Sequence, residues 1–390
     1  MIISIADIYF YVIILFPIST LFQGYFHAIN QVLFALLSIL LVLLFAKKMK
    51  KESFYAIVLM TINYVYSLIV TSGELDNLND MFYFPFVIVF LLYMSDSQAS
   101  LETFLIRNQR AVRFILNAWT ILVFISLFLP SSYTIEWGGA TYFGSYCKSI
   151  FRLAPTCVFI MTLAFCAMSF YEDRRCFFYT LLPIASIYMG GSRTYLLVGI
   201  TLFVLIWYYY VRSEKTFLLS VVPLAGILIF AISISAMADK ISATHSSSDN
   251  LFHAFASISN GRTIFWLAEI KAFFSSCAAG KLFGHGFNYV YDVNQQAVNT
   301  RIWAHNDFLQ ILLSNGLIGL GLYLFSIKKI FGSLGLKTEK GIKKFVPLIG
   351  CFMVWFINAM FNMFLSYFCS VLALPFLVYA VRNNTRHNHT

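Results

Sequence analysis

Long apolar runs alternate with short polar stretches along nearly the whole chain. A run of about 20 apolar residues crosses the hydrocarbon core of a bilayer as a helix. Hydrocarbon cannot hydrogen-bond an open backbone, so only helices and closed barrels span it, and the length of these runs selects helices. The pattern predicts about twelve such helices, at residues 2–22, 32–46, 54–70, 81–94, 112–129, 153–170, 176–189, 195–211, 217–236, 307–327, 345–363 and 365–381. The expected fold class is all-α, a polytopic integral membrane protein. The first run, MIISIADIYF, has no basic region and no small-residue cleavage site, so it reads as a membrane helix and not as a signal peptide.

Two connections are long, residues 130–151 and 237–304, within what reads as a single transmembrane domain over 1–390. Long loops inside a compact chain usually carry function. Within the larger one, GRTIFWLAEIKAFFSS places Ile264, Leu267 and Ala268 at helical spacing before Lys271 breaks the stripe. That pattern predicts an amphipathic helix lying at the membrane interface.

Composition strengthens the membrane reading: 60% of the residues are hydrophobic and 11% charged, with a mean hydropathy of +0.78. The net charge of +10 invites a nucleic-acid partner until the charges are located. With the KKMKK run at 47–51 placed in the cytoplasm, alternation puts most of the 27 basic residues into inner loops. One assignment satisfies every loop by the positive-inside rule. It predicts a bacterial inner membrane protein with both termini cytoplasmic and the two long connections periplasmic, and it excludes nucleic acid. Lys148, Arg152, Arg193, Lys240, Arg262, Lys271, Lys281 and Arg301 remain on the outer face, where topology does not require them. The seven cysteines are scattered without metal-ligand spacing; only Cys147 and Cys277 fall on outer segments that would permit a disulfide.

Candidate chemistry gathers on that outer face. The helix opening AHNDFLQ carries His305, Asn306 and Asp307 at its amino end, where free N–H groups and the helix dipole favour an anion. Two readings stand: an ordinary cap, with Asn306 or Asp307 as N-cap, or a titratable base beside an anion site. Gly316, Gly319 and Gly321 suit close helix packing. Arg193, in GGSRTYLL, is costly at a membrane helix end unless it meets a partner, the alternative being a guanidinium that snorkels to headgroups. Arg262, in NGRTIFW, has Glu269 two turns on along the same face, so a structural pair is its alternative. Two guanidinium groups near a helix amino end suit a diphosphate. GHGFNYVYD reads as a glycine turn with aromatics, and Trp303 as an interface anchor.

GSRTYLL, NGRTIFW, FGHGFN and AHNDFLQILLSNGLIGL, in that order, resemble the O-antigen polymerase and O-antigen ligase superfamily over residues 190–322. KSIFRLAPT is a looser echo that brings in Arg152. The resemblance implies a GT-C-like fold and a metal-independent glycosyltransferase, without cofactor, whose donor is a polyprenyl-diphosphate-linked oligosaccharide. It implies that Arg193 and Arg262 hold the diphosphate and that His305 is catalytic, as acceptor base or as phosphate contact. Asn306, Asp307, Glu269, Arg152 and Arg301 are further candidates. The expected activity is a polymerase joining repeat units at the periplasmic face, working with membrane lipid and a chain-length regulator protein. The alternatives are a ligase transferring the glycan to lipid A core and, from another class, a flippase. Charge clustered at one face, with almost none at mid-depth, favours an enzyme over a carrier.

Overall fold

Apolar runs become helices wherever the computed structural model describes the chain, which is over residues 4–26, 28–46, 49–73, 78–136, 140–211, 213–220, 262–336 and 339–387. Helices α1 (Ile5–Leu21), α2 (Ala28–Phe45), α3 (Lys51–Val70), α4 (Leu78–Asp96), α5 (Gln98–Arg107) and α6 (Gln109–Ser126) come first. A hairpin of β1 (Tyr133–Glu136) and β2 (Ala140–Phe143) follows, pairing Tyr133 with Phe143. Then come α7 (Ile150–Phe170), α8 (Leu181–Met189) and α9 (Arg193–Val211). The expected helix at 217–236 lies outside the described residues beyond 220, and the long connection is described only from 262. There it folds as α10 (Arg262–Ser275), α11 (Ala278–Phe283) and α12 (Tyr289–Val298), before α13 (Asp307–Phe331), α14 (Ile342–Phe361) and α15 (Phe368–His387).

The fold is that of an all-α polytopic membrane protein. Among the described residues seven helices are long and apolar enough to cross a membrane, or eight if α4 and α5, bent by 77°, count as one span. That is fewer than the twelve runs because 217–236 lies outside the described residues beyond 220, α8 is short, α6 carries Arg110 and Arg113, and α15 continues into the polar RNNTRH. The core is built on α7, whose span is 94% buried. Its Ala154, Ala164, Ala167, Cys157 and Cys166 let neighbouring helices approach closely, and it packs along α15, buried from 371 to 381. By contrast α2 and α3 are only 22% and 28% buried, and Val42 and Ile69 face outward. Lipid is the solvent that such faces need.

Helix α13 is broken at Gly316 (φ 68°, ψ −169°), a backbone region open essentially to glycine alone. The carbonyls of Leu313, Ser314 and Asn315 at the break are taken. His285 N donates to Leu313 O at 2.9 Å and Gly286 N to Ser314 O at 3.1 Å. From α3, Ser67 Oγ donates to Ser314 O at 3.2 Å and Asn63 Nδ2 to Asn315 O at 2.9 Å. The FGHGF turn is thus the partner of the SNG break, which explains Gly284: a Cβ there would lie 2.3 Å from Ser314 O. The expectation that all three glycines of NGLIGLG serve helix packing holds for Gly319, whose Cβ would press on Asn315 and Asn63. Gly316 makes the break instead, and a Cβ on Gly321 would meet nothing within 4 Å.

Candidate active site

A cavity of about 1200 Å³ opens beside the start of α13. Its lining includes Arg152 from the first turn of α7, Arg301, Trp303 and His305 from the segment entering α13, and Tyr367. Apolar side chains also line it, with Phe16 of α1, Phe34 and Ile39 of α2, and Phe82 of α4. Gln23, and Asn30 in the first turn of α2, add amides; Asn30 Nδ2 donates to Gln23 Oε1 at 3.0 Å and to Thr20 Oγ1 at 3.1 Å.

Arg193 begins α9 and Arg262 begins α10, and their charges act on each other. Burial, and then the Arg193 charge, push Arg262 below its usual range, against the opposing effect of Tyr367. Its guanidinium donates to the carbonyl of Phe361, at the carboxyl end of α14 where helix carbonyls are unsatisfied. The imidazole of His305 is in turn pushed down to about 3 by burial first and the Arg262 charge second. His305, which lines the cavity, is thus coupled to Arg262, and Arg262 to Arg193, although neither arginine is among the lining residues. An anion stabilises neighbouring guanidinium groups, and a diphosphate matches two planar forks.

Arg152 is half-exposed on the cavity wall, with no side-chain hydrogen bond or ion pair among the described residues. Arg301 pairs with Asp292 of α12 at 2.9 Å, both side chains staying well solvated, so the pair contributes little to stability. The other three candidates are engaged in packing. Asn306 is the N-cap of α13, accepting from Leu309 N at 3.1 Å. Asp307 is fully buried, and its Oδ2 accepts from Tyr323 Oη at 2.9 Å, which in turn accepts from Trp355 Nε1 at 2.9 Å. Leu365 N donates to the same carboxylate, so Asp307 joins α13, α14 and the turn before α15. Glu269 does not pair with Arg262: its Oε1 accepts from Asn294 Nδ2 of α12. Cys147 and Cys277 are free thiols, one buried and one exposed.

Sequence reasoning missed Tyr367, which falls inside an expected helix with nothing to distinguish it. It also gave Trp303 and Trp266 no part in the site. Trp303 Nε1 donates to His305 Nε2 at 3.0 Å, and Trp266 Nε1 donates to Ala304 O at 2.6 Å, fixing α10 against the segment that carries His305. Of the expected stripe on α10, Ile264 and Leu267 are exposed and Ala268 is half-buried, while Phe265 and Glu269 are buried.

Residues 178–324 match the family model described as O-antigen ligase. That stretch, less than half of the chain, is similar to the O-antigen polymerase/ligase superfamily. Members of that family are glycosyltransferase-like enzymes of the bacterial inner membrane. The matched segment runs from just before α8 into α13 and contains Arg193, Arg262, Arg301 and His305. The walls contributed by α1, α2, Arg152 and Tyr367 lie outside it. No curated protein matches the chain.

Proposed function

We propose that this chain is a glycosyltransferase that takes a polyprenyl-diphosphate-linked oligosaccharide as donor and joins repeat units, as an O-antigen polymerase. The observation that carries the reading is the cavity of about 1200 Å³ that His305 lines, coupled to Arg262 and through it to Arg193. A donor of this class has a long apolar tail, a diphosphate and a sugar chain. Phe16, Phe34, Ile39 and Phe82 in the cavity wall suit the tail, and α2 is thinly buried. The diphosphate suits His305 and the Arg262 and Arg193 charges coupled to it, and the amides of Gln23 and Asn30 suit sugar hydroxyls. The leaving group gains negative charge as the glycosidic bond to phosphate breaks, and cations fixed there in advance stabilise the transition state more than the ground state.

Transfer to lipid A core by a ligase is the second reading, favoured by the printed description of the matching family. A deletion strain separates the readings on a lipopolysaccharide gel. Core bearing one repeat unit is the result expected for loss of a polymerase. Bare core, with long polymer left on the polyprenyl carrier, means ligase. Bare core with units trapped on the cytoplasmic leaflet means a flippase and overturns the enzyme reading.

A further inference from the structure

Trp303 meets His305 edge-on, with ring planes at 87° and centroids 5.8 Å apart, and its Nε1 lies 3.0 Å from His305 Nε2. An indole nitrogen donates and never accepts. The imidazole nitrogen facing it therefore presents a lone pair, and in the neutral ring the single proton resides on Nδ1. The ring is neutral because it is buried beside the Arg262 cation. Arg262 from α10 acts on it directly and Arg193 from α9 acts on Arg262, while Arg152, Tyr291, Arg301 and Tyr367 line the same cavity.

Local backbone builds this contact. His305 is in the left-handed region (φ 50°), which brings its ring back toward the residue two places earlier. Ala304 between them is held on both sides, its carbonyl by Trp266 and its N–H by Gln310 Oε1 at 3.0 Å. The Nδ1–H has no partner among the described residues, on a side chain that lines the cavity.

We infer that Trp303 is a positioning residue that fixes the tautomer of His305, so that His305 acts as an Nδ1–H donor to the donor diphosphate and not as the base that deprotonates the acceptor. The identity of the ligand rests on the function proposed above. In the transfer, the bond between the anomeric carbon and the diphosphate oxygen breaks, and its electron pair stays on the diphosphate. The acceptor hydroxyl oxygen supplies the pair for the new bond to that carbon. Its proton passes to the departing diphosphate, which becomes the most basic group present. Nδ1–H and the two guanidinium groups meet the charge that grows on the leaving group.

The tautomer is read directly from the ¹⁵N shifts of labelled histidine in the purified protein, with the His305→Asn spectrum assigning the signal. A protonated Nδ1 is expected, and a protonated Nε2 overturns the proposal. Activity supplies a second reading on a lipid-linked glycan in nanodiscs. His305→Asn keeps an N–H near the Nδ1 position and is expected within about 10-fold of wild type, whereas His305→Gln, whose amide reaches the Nε2 position, loses about 100-fold. Trp303→Phe keeps the ring and removes the N–H; kcat falls about 10-fold with KM little changed, and the ¹⁵N spectrum of His305 shows the proton shared with Nε2. Glutamine outperforming asparagine overturns the donor role, and a Trp303→Phe spectrum identical to wild type overturns the positioning role. A wild-type protein with the expected spectrum that transfers no lipid-linked glycan overturns the proposed function and leaves the tautomer supported.

Discussion

Asn294 Nδ2 donates to Glu269 Oε1 at 2.9 Å, while the other oxygen of this fully buried carboxyl, Oε2, has no partner. Burial pushes Glu269 up to about 8, against the lowering effect of Asn294. The folded pKa is raised, so the protonated form is favoured by folding. The contribution is fully present below the ordinary glutamate value of about 4.3 and is lost as pH rises through about 8. Hydrogen exchange in α10 and α12 should therefore accelerate between these limits in the wild type, and Glu269→Gln should flatten the dependence. A steep dependence surviving in the glutamine variant would place the titrating group elsewhere.

Arg193→Ala and Arg262→Ala should each lower transfer by at least about 100-fold at normal membrane abundance. Lysine should rescue poorly at both positions, because it lacks the planar fork. Full activity in either alanine variant would leave that guanidinium no part in donor binding.

Gly316→Ala should destabilise the fold by about 3 kcal/mol, since it strains a glycine-only backbone and sets a Cβ 2.4 Å from the Leu282 backbone. Gly321→Ala, where a Cβ meets nothing, should be neutral. Thermal melting of the two purified variants, read by size exclusion, checks the contrast. Equal melting temperatures would mean that the break in α13 is not required.

Sidedness follows from the sorted charges. Alkaline phosphatase fused after Ser248 should be active and after Lys340 inactive. The reverse pattern would put Arg193, Arg262 and His305 in the cytoplasm and remove the proposed donor from reach.

Helix positions were legible in the sequence because lipid demands uninterrupted apolar runs, and 32–46 and 195–211 match α2 and α9 to within four residues. Arg193, Arg262 and His305 were singled out because cations and a helix-start histidine stand out where the topology rule does not require them, and the structure couples the three. Less visible was what depends on chains meeting from afar. The Asn63 and Ser67 contacts to the α13 break span separations of about 250 residues, and no local pattern encodes them. Asp307 and Glu269 resembled site residues by type, yet one is tied to Tyr323 and the other to Asn294. Carboxyl chemistry and structural bonding draw on the same side chain, and only the partner distinguishes them.

Broken membrane helices often act as hinges, but the break in α13 is closed on every side. Its carbonyls are held by the 285–286 backbone and by two side chains of α3, and its amino end by the Asn306 cap and the Asp307 anchor. That joint behaves as a weld. The part of the molecule presenting His305 is then a fixed anvil, whereas the thinly buried α2 has little protein packed around it to hold it in place.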